Sequence, residues 1–185
     1  MAVPVLEGAR VTLRPPRSAD IEDRLRLGRD PQIVRMFGGG ATDLTPLTID
    51  EIEREHARLA PPNHGWIIEH EGRAVGVARL HAIDPRDQRA RFAVGIHDPE
   101  LLGQGLGTAV TQLVLAHAFE TLALHRVDLR VLTYNERAIR CYVKCGFRHE
   151  GVERESALVD GERFDDAMMA ILRPDWLASR PGAKD

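Results

Sequence analysis

The sequence predicts a single α/β domain, α+β in layout, built on a mixed, mainly antiparallel sheet with helices packed against it. Three observations predict it. Apolar runs between residues 65 and 97 are joined by short connections, which suits antiparallel strands. A glycine loop, Gly103-Gln104-Gly105-Leu106-Gly107, then opens a long helix with an apolar stripe. After it, the chain reads strand, helix and two more strands around the turn Asp160-Gly161.

Residues 10–14 alternate, with Val11 and Leu13 on one face, and predict a short strand that Pro15 and Pro16 end. Ser18 is the expected N-cap of a first helix, with Ile21, Leu25 and Leu27 as its buried stripe and Asp20 and Glu22 in its first turn. Gly28 and Asp30-Pro31 close that helix, and residues 32–37 offer a further turn. Gly38-Gly39-Gly40 reads as a flexible break. Thr48 followed three residues later by Glu51 has capping-box spacing, so a second helix starts there. Ile49, Ile52, His56 and Leu59 share one face until Pro61-Pro62. Strands are expected at 65–70, 73–83 and 89–97, the first two joined by a tight turn at Glu71-Gly72. Leu106, Val110, Leu113, Val114 and His117 form the stripe of the helix after the glycine loop. A strand at 125–132 and a helix at 135–145 follow, the helix ended by Gly146. Strands at 147–158 and 163–172 finish the fold. The domain is expected to run from 1 to 176, with a loose tail at 177–185.

Composition bounds the function. The chain has 185 residues, 25 Lys+Arg against 28 Asp+Glu and a formal charge of −3. With 43% hydrophobic and 29% charged residues it is ordinary globular protein, not a disordered, collagen-like or coiled-coil chain. The near-neutral charge gives no reason to expect nucleic acid or an anionic membrane as partner. Two cysteines make no disulfide framework. No apolar run approaches the roughly 20 residues of a membrane span. The first residues lack the pattern of a signal peptide. A cytoplasmic setting is the expectation.

The glycine loop lies between a strand and a helix start. A helix start leaves N–H groups unpaired and carries partial positive charge, and glycines let backbone approach a phosphate closely. The combination suits a pyrophosphate. It is not a P-loop, because no Gly-Lys-Ser/Thr follows, and it lacks the third glycine spacing of the Rossmann pattern. Taken alone, it also fits a plain strand-to-helix turn.

Two blocks together resemble the GNAT family of N-acetyltransferases, and within it the group that includes ribosomal-protein N-terminal acetyltransferases. The first is residues 98–108, Asp-Pro-Glu-Leu-Leu-Gly-Gln-Gly-Leu-Gly-Thr, similar to that family's acetyl-CoA pyrophosphate loop. The second is residues 135–147, Asn-Glu-Arg-Ala-Ile-Arg-Cys-Tyr-Val-Lys-Cys-Gly-Phe, similar to the family signature N-x-x-[AS]-x-x-x-Y-x-x-x-G-F. The likeness runs from about residue 6 to 176. It implies a central sheet splayed at its fourth and fifth strands, helices on both faces, and acetyl-CoA as co-substrate in the splay. It assigns Gly95, Ile96 and His97 to the pantetheine arm. It assigns Leu102, Gly103, Gln104, Gly105, Leu106, Gly107 and Thr108 to the pyrophosphate. Two departures stand out. Leu102 replaces an Arg or Gln usual ahead of the loop glycines, and Ala93 stands where many members carry a general-base Glu.

Acetyl transfer from a thioester needs a neutral amine, a stabilised carbonyl oxygen and a proton for the leaving thiolate. The resemblance makes Tyr142 the donor of that proton; a tyrosine packed on the sheet is the other reading. Asn135 is an N-cap, with a cofactor or relay contact implied as well. Arg137 and Arg140 share a helix face with Lys144, either as a solvated face or toward the phosphates of CoA. Among replacement bases, His81, His97, Asp98 and Glu100, His97 is placed best, just after the fourth strand. Cys141, Cys145 and His149 are four apart, but Gly146 interrupts the helix and a fourth ligand is missing, so no metal is expected. The resulting expectation is an N-acetyltransferase of a primary amine, with a protein N-terminal α-amine as acceptor. The alternatives are a small-molecule acceptor (polyamine, amino acid or aminoglycoside) and a non-catalytic acyl-CoA-binding domain. A homodimer is a further possibility that no residue pattern requires.

Overall fold

Short connections at 71–72 and 85–88 let three consecutive strands pair as one antiparallel meander. In the computed structural model, which describes residues 3–180, these are β3 (His64–His70), β4 (Arg73–Asp84) and β5 (Arg89–Ile96). Glu71 and Gly72 both take positive φ, as a two-residue hairpin turn between twisted strands requires. Two short strands, β1 (Leu6–Glu7) and β2 (Thr12–Arg14), extend one edge of the sheet. The strands β6 (Arg126–Leu132), β7 (Arg148–Val159) and β8 (Glu162–Leu172) extend the other. Among the described residues eight strands run β1-β2-β3-β4-β5-β6-β8-β7, and of these only the β5–β6 pair is parallel.

That parallel pair is short. It registers Arg89 with Arg126, Ala90 with Val127 and Arg91 with Asp128, and there the pairing stops. Phe92–Ile96 of β5 and Leu129–Leu132 of β6 diverge into a splay, while β6 stays paired to β8 along its length. On one face of the sheet lie α1 (Asp20–Leu27) and α3 (Ile49–Ala57), with α2 (Pro31–Met36) between them in sequence. On the other lie α4 (Leu106–Ala116), which continues into a π turn at His117–Thr121, and α5 (Glu136–Lys144). Helix α6 (Arg173–Ala178) follows the last strand. The main core lies under α4, where Trp66, Leu80, Phe119, Leu129, Met169 and Ile171 are fully buried.

Several local expectations change. Thr48 and Glu51 do form the capping box, with bonds of 3.3 and 2.9 Å to each other's backbone N–H. Ser18 does not cap α1. Asp20 instead accepts the Arg17 N–H at 2.6 Å from inside the first turn. Nor does an apolar stripe seat that helix: Leu25 is exposed, and Asp20 is its one buried residue. Polar contacts seat it. Arg14, only 4% exposed, pairs with Asp20 through two bonds of 2.7 and 2.9 Å, and Asp23 accepts the Ala74 N–H of β4 at 2.8 Å. The alternation at 10–14 therefore misreads Arg14 as a surface residue.

Asp30 starts α2 rather than closing α1, because its carboxylate accepts the Ile33 N–H with Pro31 at the first turn. Gly38-Gly39-Gly40 is packed rather than a free break. A Cβ on Gly39 would meet Val34 at 2.6 Å, and one on Gly40 would meet the Asp160 carboxylate at 2.1 Å. Asp160, at the tip of the β7–β8 hairpin, accepts the Ala41 N–H at 2.7 Å and so ties hairpin to segment. Of the expected tail, Leu177 and Ala178 belong to α6, and residues 181–185 lie outside the described residues.

Candidate active site

Antiparallel pairing alternates which way backbone groups point. His97 donates its N–H to the Val75 carbonyl at 2.8 Å, so His97, Gly95, Ala93 and Arg91 turn their backbone groups toward β4. Of the intervening residues, Val94 and Ile96 turn theirs the other way, where β6 has already diverged. The splay therefore presents a row of strand-edge N–H and C=O groups with no strand beside it. A cleft of about 610 Å³ occupies that gap.

The glycine loop forms one end of the cleft. Asp98 accepts the Glu100 N–H at 3.0 Å and starts a short 3₁₀ turn at Pro99–Leu101. Gly105 is the N-cap of α4 with φ +84°, a left-handed conformation that a side chain disfavours, and no side chain caps the helix. The first N–H groups of α4 therefore have no side-chain cap. Leu102, Gly103, Gly105, Leu106, Gly107 and Thr108 line the cleft. Gln104 does not. Its side chain turns back to the Glu100 carbonyl at 2.7 Å, while the Arg10 guanidinium donates to the Gln104 carbonyl.

Helix α5 forms the facing wall. Its amphipathic pattern buries Tyr142 and leaves Arg137, Arg140 and Lys144 along the cleft. Arg140 is paired with Glu136 at 3.0 Å on an exposed surface. Asn135 caps the helix by accepting the Ala138 N–H at 3.2 Å, and its amide nitrogen donates to the Met36 carbonyl at 3.2 Å. Both ends of that side chain are thus engaged in holding α5 against α2. Tyr142 packs edge-on to Phe92 at 6.4 Å and against Phe147 at 5.7 Å, with the cleft on its open side. Burial pushes its phenol well above the ordinary tyrosine range. Cys141 and Cys145 sit beside Thr108, Cys141 at 3.4 Å from its hydroxyl, while His149 is on β7.

Gly95 and His97 are not on this cleft. They border a second cavity, of about 540 Å³, on the α1–α3 face of β5. Of the three residues 95–97, only Ile96 faces the splay, because neighbouring residues of a strand point to opposite sides. His97 is buried, with Nε2 3.5 Å from a Glu55 carboxylate oxygen. Burial, with Arg24 nearby, pushes its pKa down to about 4 despite Glu55, so it is neutral at neutral pH. Ile33, Phe37, Gly38, Ala93 and Val94 border both cavities, so the two meet at the Ala93–Val94 step of β5. His81 lies in mid-β4, and Asp98 is occupied as a cap.

Glu55 is one acid among several on α3, and Arg79 reaches this region only through strand register opposite Ala93. Neither carries a local motif.

The family description Acetyltransferase (GNAT) domain matches residues 10–148. The uncharacterized N-acetyltransferase YoaA of Bacillus subtilis is 28% identical over 175 residues, covering 92% of this chain and 98% of that protein. A [ribosomal protein uS5]-alanine N-acetyltransferase of Escherichia coli is 27% identical over 78 residues, 42% of this chain and 40% of its own. Among solved structures, spermidine N-acetyltransferase from Vibrio cholerae in complex with CoA and spermine superimposes with a TM-score of 0.76 at 25% identity, covering 92% of this chain and 99% of that one. The sheet, its splay, the glycine loop and the family match agree: the chain belongs to the GNAT family of acetyltransferases.

Proposed function

We propose that this acetyltransferase uses acetyl-CoA to acetylate a primary amine by direct attack within a ternary complex. One observation carries the reading: two cavities on opposite faces of β5 meet at Ala93–Val94, so donor and acceptor can approach one point from opposite sides. Acetyl-CoA supplies the activated thioester. The free edge of β5 at Val94 and Ile96 suits the pantetheine amides, as an added strand suits an open sheet edge. The α4 start, from Gly103 to Thr108, suits the pyrophosphate, with Gln104 contributing backbone only. Arg137, Arg140 and Lys144 add charge along the same wall.

The catalytic roles follow from placement. A β5 N–H in the splay polarises the carbonyl. Tyr142 stays protonated across the neutral range and gives its proton to the departing sulfur. His97 is neutral and adjoins Glu55, so this pair is the proposed path for the amine's proton in place of the Glu that Ala93 lacks. Its depressed basicity suits a relay to Glu55 better than a lone strong base. An α-amine, with a reference pKa of about 8, supplies a larger neutral fraction than a lysine amine. Calorimetry with acetyl-CoA and thiol release over a panel of primary amines test the reading. Tight binding with thiol release supports it; binding without release from any amine overturns the transfer step.

A further inference from the structure

The acceptor-side cavity carries an unusual charge inventory. Arg24, Arg29, Arg58 and Arg79 face three carboxylates, Asp30, Asp43 and Glu55, with His97 neutral. Those carboxylates are already engaged. Asp30 caps α2 through the Ile33 N–H at 2.9 Å, and Asp43 accepts the Gly40 N–H at 2.8 Å. Glu55 takes the Arg24 guanidinium at 3.2 Å and stands beside His97. Arg29 is held by Glu51 at 2.8 Å. Two cations remain. Neither Arg79 nor Arg58 has a carboxylate within 4 Å among the described residues, and Arg79 is half-buried. A half-buried guanidinium without a counter-charge is costly unless an anion completes it. Burial first and the neighbouring Arg58 second push the Arg79 pKa down, and the more distant Glu55 offsets this only in part.

Position gives this meaning. Arg79 is the cross-strand partner of Ala93, so its side chain rises from the same face of the sheet, directly beside the junction of the two cavities. Resting on the acetyl-transfer reading above, we propose that Arg79, with Arg58, binds an oxyanionic group of the acceptor, which is a small amine carrying a carboxylate or phosphate a few bonds from its nitrogen. A polycation such as a polyamine is then a poor acceptor, since unpaired arginines repel it and no free carboxylate awaits it.

Matched pairs of acceptors test this by acetyl-CoA-dependent thiol release: α-amino acids against their carboxamides, phosphoethanolamine against ethanolamine, and spermidine. The acid or phosphate of each pair is expected to show a kcat/KM roughly 10- to 100-fold above its neutral partner, the worth of charge-assisted bonds to arginine. The pair with the larger ratio identifies the anion. In Arg79→Gln that ratio falls toward one, Arg79→Lys restores part of it, and Arg58→Gln lowers it less. Thermal melting of each variant separates lost folding from lost recognition. Equal use of charged and neutral partners, or spermidine as the best acceptor, overturns the anion site while leaving acetyl transfer standing. Acetyl-CoA binding with no release from any amine overturns the transfer reading, and this inference with it.

Discussion

Replacing Asp20 with alanine strands the Arg14 guanidinium inside the protein. Asp20 is 2% exposed and receives two bonds from Arg14 and one from the Arg17 N–H. Burial works against its charge, but those bonds outweigh it and hold its carboxyl below the ordinary range. Removing one partner of a buried ion pair costs about 3–5 kcal/mol, because the other charge stays behind. Arg14 keeps a contact to Glu69 at 2.5 Å, so the loss belongs at the lower end, about 3 kcal/mol. For a domain of this size that lowers Tm by roughly 6–12 °C. Urea unfolding monitored by circular dichroism reads it directly. The effect extends to the site, since α1 also carries Arg24, which holds Glu55 beside His97. Asp20→Asn, which keeps some of the bonds, should lose less. A loss below about 1 kcal/mol in Asp20→Ala would refute the reasoning that polar contacts, not an apolar stripe, seat α1.

Other outcomes follow from the same geometry. Tyr142→Phe keeps the packing on Phe92 and Phe147, so acetyl-CoA affinity and Tm should barely move while kcat falls about 10²-fold or more; an unchanged kcat removes the proposed acid. Gly40→Ala places a Cβ 2.1 Å from the Asp160 carboxylate and breaks the hairpin tie, which should cost about 1–3 kcal/mol in chemical unfolding; a neutral effect would show the tie to be dispensable. His97 and the buried His117, whose Nδ1 has no partner among the described residues, are both pushed down to about 4 by burial. An unfolded histidine titrates near 6.5, so below that pH the unfolded chain binds more protons. Stability is therefore full above about 6.5 and declines as pH falls toward about 4, by up to about 1.4 kcal/mol per pH unit per histidine. Urea midpoints that stay level from pH 7 to pH 5 would contradict that burial.

The sheet was legible where strand alternation and turn chemistry coincide. Strands β3 to β5 and β6 to β8 fall within a residue or two of expectation, and the capping box and the Asn135 cap were readable from spacing alone. Elements held by long-range polar contacts were not. Arg14 and Asp20 look like surface residues until the fold buries them together, and β1 is too short to carry a pattern. The walls of the larger cleft were readable because a glycine loop and a helix signature are local. In the second cavity only His97 was readable, because Glu55 and Arg79 join it from other elements through strand register and helix packing. A one-residue alternation also decides the cleft: reading 95–97 as one block hid that Ile96 faces the splay while Gly95 and His97 face the other cavity.

Amide hydrogen exchange with and without acetyl-CoA tests the donor site most directly. The open edge of β5 at Val94 and Ile96 and the α4 start from Gly103 to Thr108 should gain protection on binding, with the α1–α3 face unchanged. Protection confined to the α1–α3 face, or no change at the β5 edge under saturating acetyl-CoA, would contradict the account.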